Sequence, residues 1–121
     1  MGNRVFLNKK GFIEQVYIGN QNFGSVMDAA SELMLLCDKL PANRRKVRIL
    51  VSVKKIGRIS ADALLAGAEG LNLMPDAKVA IFGGNKLVND LVNLVTAAVG
   101  REKSVLVFDT KKEALGWLKK K

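Results

Sequence analysis

The sequence contains no histidine and only one cysteine among its 121 residues. Histidine is the commonest general base and the commonest metal ligand in proteins, so its absence removes most acid–base and metal-dependent enzyme sites. A single cysteine permits neither an ordinary zinc site nor an internal disulfide. Cys37 also falls on the apolar face of a predicted helix beside Met34, which is typical of a structural thiol. These absences predict a protein that is not an enzyme and needs neither cofactor nor metal.

Long apolar runs are missing as well. Runs such as 33–37 and 79–82 fall far short of the roughly 20 residues that span a bilayer. Residues 1–10 carry Arg4, Lys9 and Lys10 around a short apolar stretch and show no secretion signal. Together with the lone cysteine, these features predict a cytoplasmic protein without a transmembrane segment. The length and the hydrophobic content of 49% predict a single globular domain over residues 1–121.

Basic residues are abundant and unevenly placed. The chain has 20 Lys and Arg against 11 Asp and Glu, which gives a net charge of +9. Residues 39–58 hold eight basic and no acidic side chains, and residues 101–121 hold seven and three. Such segments favour polyanions or acidic protein surfaces, although they also serve solubility alone. One tryptophan, one tyrosine, five phenylalanines and no recognisable RNA- or DNA-reading motif argue against nucleic acid.

Apolar periodicity predicts strands that alternate with helices. "RVFLN" and "GFIEQVYIG" favour a hairpin at a sheet edge, and "KVRILVSV", "KVAIF" and "SVLVF" are typical of strands buried on both faces. A first helix ends at Pro41, and Pro75 closes the connection that follows a second. Ser60 and Asn85 are the predicted starts of the second and third helices. Asp109 or Thr110 starts the fourth, and Thr110 with Glu113 has the form of a capping box. The predicted inner face of the third helix consists of Leu87, Leu91, Leu94, Val95 and Ala98.

This order of elements predicts an α/β fold with a single, mainly parallel sheet, flanking helices and an N-terminal edge hairpin. The order, with the text of its last strand and helix, resembles the STAS domain, and within it the SpoIIAA-like branch. The residues that carry the likeness are Val107-Phe108-Asp109, Glu113-Ala114-Leu115 and Trp117-Leu118, together with "AKVAIFGGN" before the third helix. The resemblance covers most of the chain from Gly11 onward.

The resemblance implies a non-catalytic module that binds a partner protein or a small ligand. In the anti-sigma-factor antagonists of this family, regulation uses a Ser or Thr that follows an Asp at the start of the second helix. The matching stretch here is "RISADALL", in which Ala61 takes the phosphorylatable position. Ser60 remains a candidate for modification, although helix capping also explains it.

The carboxyl ends of the parallel strands form the candidate ligand site. In open parallel sheets, ligands bind at this edge, where helix N-termini present free N–H groups. Three loops are expected to meet there, and they supply the candidate ligand-binding residues Lys54, Lys55, Arg58, Gly83, Gly84, Asn85, Lys86, Lys111 and Lys112. A second basic group, Arg44, Arg45, Lys46, Arg101 and Lys103, precedes its strands and is expected at the opposite edge.

Two functions stay open at this point. The first is a STAS-like interaction module that binds a protein partner or a second copy of itself. The second is a binding protein for a phosphate-bearing small molecule or an acidic lipid headgroup, which the likeness of STAS domains to lipid-carrying Sec14-type domains also suggests. The alternative for the glycine pair Gly83-Gly84 is a tight strand-to-helix turn with no ligand at all.

Overall fold

The computed structural model describes residues 2–40, 47–74 and 76–120. They form a mixed α/β fold with a five-stranded sheet in the order β1-β2-β3-β4-β5. The hairpin strands β1 and β2 are antiparallel, and the other neighbours are parallel, as predicted. The elements are β1 Arg4–Leu7, β2 Ile13–Gln21, α1 Phe23–Asp38, β3 Val47–Ile59, α2 Ala61–Leu73, β4 Ala77–Phe82, α3 Lys86–Ala98, β5 Val105–Phe108 and α4 Lys111–Lys119.

The helices divide unequally between the two faces of the sheet. On one face, α1, α2 and α3 cover a core that includes Ile13, Ile49 and Val88. On the other face, the short helix α4 packs Leu118 over Leu50 and its neighbours. Ile13, Ile49, Leu50 and Leu118 are fully buried, and burying one such side chain contributes about 1.5–3 kcal/mol. None of the helices in the described ranges is long and apolar enough to cross a membrane.

Local signals in the sequence set the helix starts. The side chains of Ser60, Asn85 and Thr110 accept hydrogen bonds from the backbone N–H groups that begin α2, α3 and α4, and Glu113 completes the capping box of α4. The predicted starts of the three helices are therefore confirmed. Gly100, with φ of 71°, follows the end of α3. The predicted breaks at Pro41 and Pro75 lie outside the described residues.

Strand β3 continues well beyond its apolar run. The sequence predicts that the strand ends near Val53 and that 54–58 form a loop, which is wrong. The strand pairs with β4 only as far as Ser52 and then continues against β2 up to Ile59. The close approach of β2 favours a glycine here, because a Cβ on Gly57 would lie 3.0 Å from the backbone nitrogen of Asn20 and would collide with the side-chain oxygen of that residue. Pairing between backbones needs no apolar run, so hydrophobicity alone missed this extension.

Helix α3 turns a different side to the sheet from the one predicted. Val88, Val92 and Val95 face the interior, whereas Leu87 and Leu94 are 67% and 64% exposed. Of the predicted inner-face residues only Val95 is clearly confirmed. Leucines and valines form two apolar stripes on adjacent sides of this helix, and a periodicity of 3.6 fits either of them. Only the packing of the sheet decides which stripe is buried.

Candidate functional site

The glycine turn at the carboxyl end of β4 is filled by the protein's own side chains. Gly83 has φ of 92°, and a Cβ placed on it would lie 2.2 Å from Cγ of Lys54. A Cβ on Gly84 would lie 2.8 Å from Oδ1 of Asn89. Both glycines are therefore explained by backbone conformation and close packing, and this explanation needs no ligand.

Polar side chains at the start of α3 form hydrogen bonds within the helix itself. Oδ1 of Asn85 accepts a 2.9 Å hydrogen bond from the Val88 N–H and so occupies one free donor at the start of α3. Lys86 extends along the helix to Asp90, with 2.8 Å between Nζ and Oδ2. This hydrogen bond raises the pKa of the exposed Lys86 ammonium. The Lys86 charge is thus partly balanced by a carboxylate one turn away.

The remaining candidate ligand residues do not join this turn as one cluster. Lys54 lies beside Gly83, but Arg58 lies four residues further along β3, about 13 Å away at the usual rise of a strand. Lys55 also belongs to the extended strand. Lys111 and Lys112 begin α4, on the opposite face of the sheet from α3. Anion binding at this edge stays a prediction, with Lys54 and residues 83–86 as its compact part.

Ser60 occupies an exposed position at the N-terminus of α2. Its Oγ accepts a 3.2 Å hydrogen bond from the Ala63 N–H and donates to Oδ1 of Asp62. Ala61 is the first residue of the helix and has no hydroxyl. Ser60 is therefore a helix cap, and its modification stays a prediction.

The opposite edge of the sheet holds Arg101 and Lys103, which precede β5 as expected. Arg101 serves the fold, because its Nη2 donates a 2.9 Å hydrogen bond to the carbonyl oxygen of Met74. The other members of this basic group, Arg44, Arg45 and Lys46, lie outside the described residues.

The outer surface of α1, α2 and α3, here called the helical face, displays most of the exposed apolar side chains. Among the described residues, seven large hydrophobic side chains are exposed, and six of them belong to these three helices. They are Phe23, Leu35, Leu65, Leu73, Leu87 and Leu94.

A shallow groove runs between α1 and α2. Leu35 and Leu73, 62% and 65% exposed, form part of its wall together with Met27 and Met34. Gly70 lines the groove, and a Cβ on it would lie 3.4 Å from Cβ of Ala30, so small residues let the helices approach closely. Unbranched methionines adapt their shape to a bound surface. The groove therefore suits an apolar side chain from a partner.

The helical face differs in charge from the rest of the protein. The three helices contain six acidic residues and one basic residue, a net charge of −5 in a chain of +9. Five of these acidic residues belong to the two helices that form the groove, and one of them, Asp38, lines it; they are Asp28, Glu32, Asp38, Asp62 and Glu69. Near α4 the charge is positive, and the pKa of Lys119 is lowered because Lys10 lies beside it as a hydrogen-bond partner and like charge.

Potential metal ligands and the single cysteine can both be placed in the described part of the chain. No three His, Cys, Asp or Glu side chains come together there as potential metal ligands. Cys37 is half-buried, and burial, with the neighbouring Asp38 carboxylate, raises the pKa of its thiol. A raised thiol pKa reduces the thiolate fraction at neutral pH, so this cysteine is less nucleophilic than an exposed one.

Comparison with solved structures identifies the architecture. No protein-family model and no curated protein matches the sequence. The crystal structure of an uncharacterised protein of the DUF3478 family from Shewanella loihica PV-4, which has a SpoIIAA-like fold, superposes with a TM-score of 0.71. The fold is SpoIIAA-like. The superposition covers 97% of this chain and 94% of the other at 17% sequence identity, so the SpoIIAA-like likeness shows the fold alone.

Proposed function

We propose that this protein is a non-catalytic interaction module of the STAS-like type, which binds a partner protein through the groove between α1 and α2. The groove, with its apolar walls, Asp38 in its lining and an excess of acidic residues on its two helices, is the observation that carries the proposal. An amphipathic helix commonly places its apolar stripe in such a groove. Because these two helices are acidic, the partner we propose has lysines or arginines beside that stripe.

Charge favours a different protein over a second copy in this groove. A symmetric dimer through the helical face would bring two surfaces of net −5 together, and like charges across an interface are unfavourable. A basic amphipathic segment meets the same apolar surface with complementary charge. We therefore assign the groove to a partner of another sequence.

The test uses two designed helical peptides of about 15 residues that share one leucine stripe. One peptide carries lysines beside the stripe and the other carries glutamates at the same positions. We expect the lysine peptide to bind about tenfold more tightly or better, with the difference shrinking at high salt, because exposed charges are screened. Fluorescence anisotropy gives the affinities, and amide chemical shifts locate the bound peptide.

Leu73→Ser should weaken binding of the lysine peptide, whereas Leu94→Ser, which removes an equally exposed leucine outside the groove, should not. Equal affinity for the two peptides, equal effects of the two variants, or no binding would overturn the proposal. Sedimentation of the protein alone is the companion measurement. A dimer that Leu73→Ser dissociates would identify a second copy as the occupant and contradict the proposed partner.

A further inference from the structure

A second feature lies under the helical face, between the sheet and α1, α2 and α3. It is a cavity of about 160 Å³ lined by side chains of β2, β3, β4 and all three helices. None of the described residues that line it is charged. Four small residues of α2, Ala63, Ala66, Gly67 and Gly70, leave part of the space unfilled. The cavity is therefore distinct in place and chemistry from the basic edge of the sheet.

One polar side chain lies inside this apolar cavity without a hydrogen-bond partner. Gln15 is 5% exposed and faces the cavity from β2, where it lies between Val5 of β1 and Val51 of β3. No side-chain hydrogen bond joins it to another described residue. The fully buried side-chain polar atoms without a partner among the described residues are Nε of Arg48 and Oδ1 of Asn89, so the Gln15 amide still borders the open space of the cavity. An amide this far inside a protein usually has a hydrogen-bond partner.

A second buried glutamine on the same strand shows the ordinary arrangement. Gln21 is 4% exposed, and its Nε2 donates to Oδ1 of Asn3 at 3.0 Å and to the carbonyl oxygen of Gly19 at 3.1 Å. Its Oε1 accepts from Asn3 and from the hydroxyl of Ser25. Both ends of the Gln21 amide thus form hydrogen bonds within the protein. Both ends of the Gln15 amide, in contrast, remain available to a molecule in the cavity.

Tyr17 adds a second polar group to the cavity wall. It follows Gln15 by two residues on β2 and so faces the same side of the sheet. Its hydroxyl bonds to no other described residue. A hydroxyl and a primary amide together can donate to an oxygen acceptor, and each can also accept a hydrogen bond.

We propose that the cavity binds a small, neutral, mainly apolar molecule whose single carbonyl or carboxamide oxygen accepts hydrogen bonds from the side chains of Gln15 and Tyr17. The ligand is neutral because the cavity offers no opposite charge, and an unpaired buried charge is strongly unfavourable. Apolar cavities of roughly 150 Å³ admit a benzene ring, which sets the size of the ligand at a ring with a short substituent.

The first experiment compares two probes of matched shape, acetophenone and isopropylbenzene, in titrations of the isotope-labelled protein. We expect acetophenone to bind about tenfold more tightly, because only its oxygen pairs with the amide. The side-chain NH₂ signals of Gln15 should shift with acetophenone and saturate together with amide signals of the cavity wall. Failure of both probes to saturate at millimolar concentration, or equal affinity for the two, would overturn the proposal.

Two variants separate a ligand-binding amide from a structural one. Gln15→Leu should abolish the preference for acetophenone and raise the melting temperature, since it removes a buried group without partners. Gln21→Leu should instead lower the melting temperature, because it breaks a satisfied network. Tyr17→Phe should weaken acetophenone binding and leave isopropylbenzene unchanged. A Gln15→Leu protein that is less stable and keeps the preference for acetophenone would show that Gln15 serves only the fold.

The cavity and the groove can be tested apart. Leu73 lines the groove and not the cavity, so Leu73→Ser should leave acetophenone binding unchanged. A protein that binds acetophenone but not the peptide would contradict only the proposal for the groove. A protein that binds the peptide but not acetophenone would contradict only the proposal for the cavity.

Discussion

The ammonium of Lys78 lies 4.4 Å from the centre of the Trp117 ring and 2.8 Å from the Trp117 carbonyl oxygen. It also donates to the carbonyl oxygen of Lys120 at 3.0 Å. A cation at this end of α4 complements the helix dipole and adds a charged donor to its terminal carbonyl groups, of which that of Trp117 also accepts from the Lys120 N–H. One side chain of β4 therefore holds the only described helix on that face of the sheet.

Replacing Lys78 by Met keeps the alkyl stem and removes the cation. We expect this change to lower the free energy of unfolding by about 1–3 kcal/mol, because it removes a cation–π contact and two charge-assisted hydrogen bonds. Urea denaturation measures the loss. Lys112→Met, which removes the same charge at an exposed position of α4, is the control, and equal stabilities of the two variants would contradict the role given to Lys78.

Gly83→Ala tests the packing of the glycine turn. We expect it to cost about 2 kcal/mol or more, because alanine is strained at φ of 92° and its Cβ would collide with Lys54. Gly100→Ala, at φ of 71° with open space around it, should cost only about 1 kcal/mol. In a Lys54→Ala background the cost of Gly83→Ala should fall, and an unchanged cost would show that Lys54 is not the obstacle.

Titration with inorganic phosphate tests the anion prediction at this edge of the sheet. If phosphate binds, saturable amide shifts should be confined to Lys54 and residues 83–86. Arg58 and Ser60 should not respond, because they lie about 13 Å or more further along β3. Weak shifts spread over all lysines and removed by salt would mean that the turn is only a structural element.

Leu94 and Leu33 test the orientation of the helices with one kind of substitution. Leu33→Ala should cost about 2–5 kcal/mol, because Leu33 is buried in the core. Leu94→Ala should change the free energy of unfolding by no more than about 0.5 kcal/mol, as expected for an exposed side chain. A large loss at Leu94 would instead support the inner face that periodicity predicts for α3.

Tyr17 should make stability fall in strong base. Burial raises the pKa of Tyr17 to about 12, above the ordinary value of 10.0. Below pH 10 the phenol is neutral in both the folded and the unfolded protein, so its contribution is constant. Between pH 10 and 12 the unfolded chain loses the proton first, and stability decreases, by up to about 2 kcal/mol.

Because Tyr17 is the only tyrosine, the ultraviolet absorbance of the phenolate reports on this residue alone. Tyr17→Phe is the control, since the pH dependence of stability that remains in it comes from other groups. An ordinary tyrosine titration in the folded protein would contradict the burial of the hydroxyl.

The sequence determined the local structure of this protein with few errors. Ser60, Asn85 and Thr110 began their helices because an N-cap needs only its own side chain and the next few N–H groups. The order of strands and helices followed from alternating periods, and together with the residues of the last strand and helix it carried the resemblance to the SpoIIAA-like fold. The continuation of β3 was missed because its partner is the backbone of β2, which hydrophobicity does not reveal.

Only the tertiary structure decided the candidate sites. Both apolar stripes of α3 have helical spacing. In the folded protein the valine stripe packs against the sheet, and Leu94 on the leucine stripe is exposed. The acidic character of the helical face was not predicted from the basic chain. The distribution of charge along a sequence does not show which helices share a surface. In the sequence, Gln15 is not distinguished from other strand residues. Its spacing of two from Ile13 nevertheless puts both side chains on the same face of the sheet. Its lack of partners is a property of the three helices that cover it, since small residues of α2 leave a space where a partner would otherwise lie.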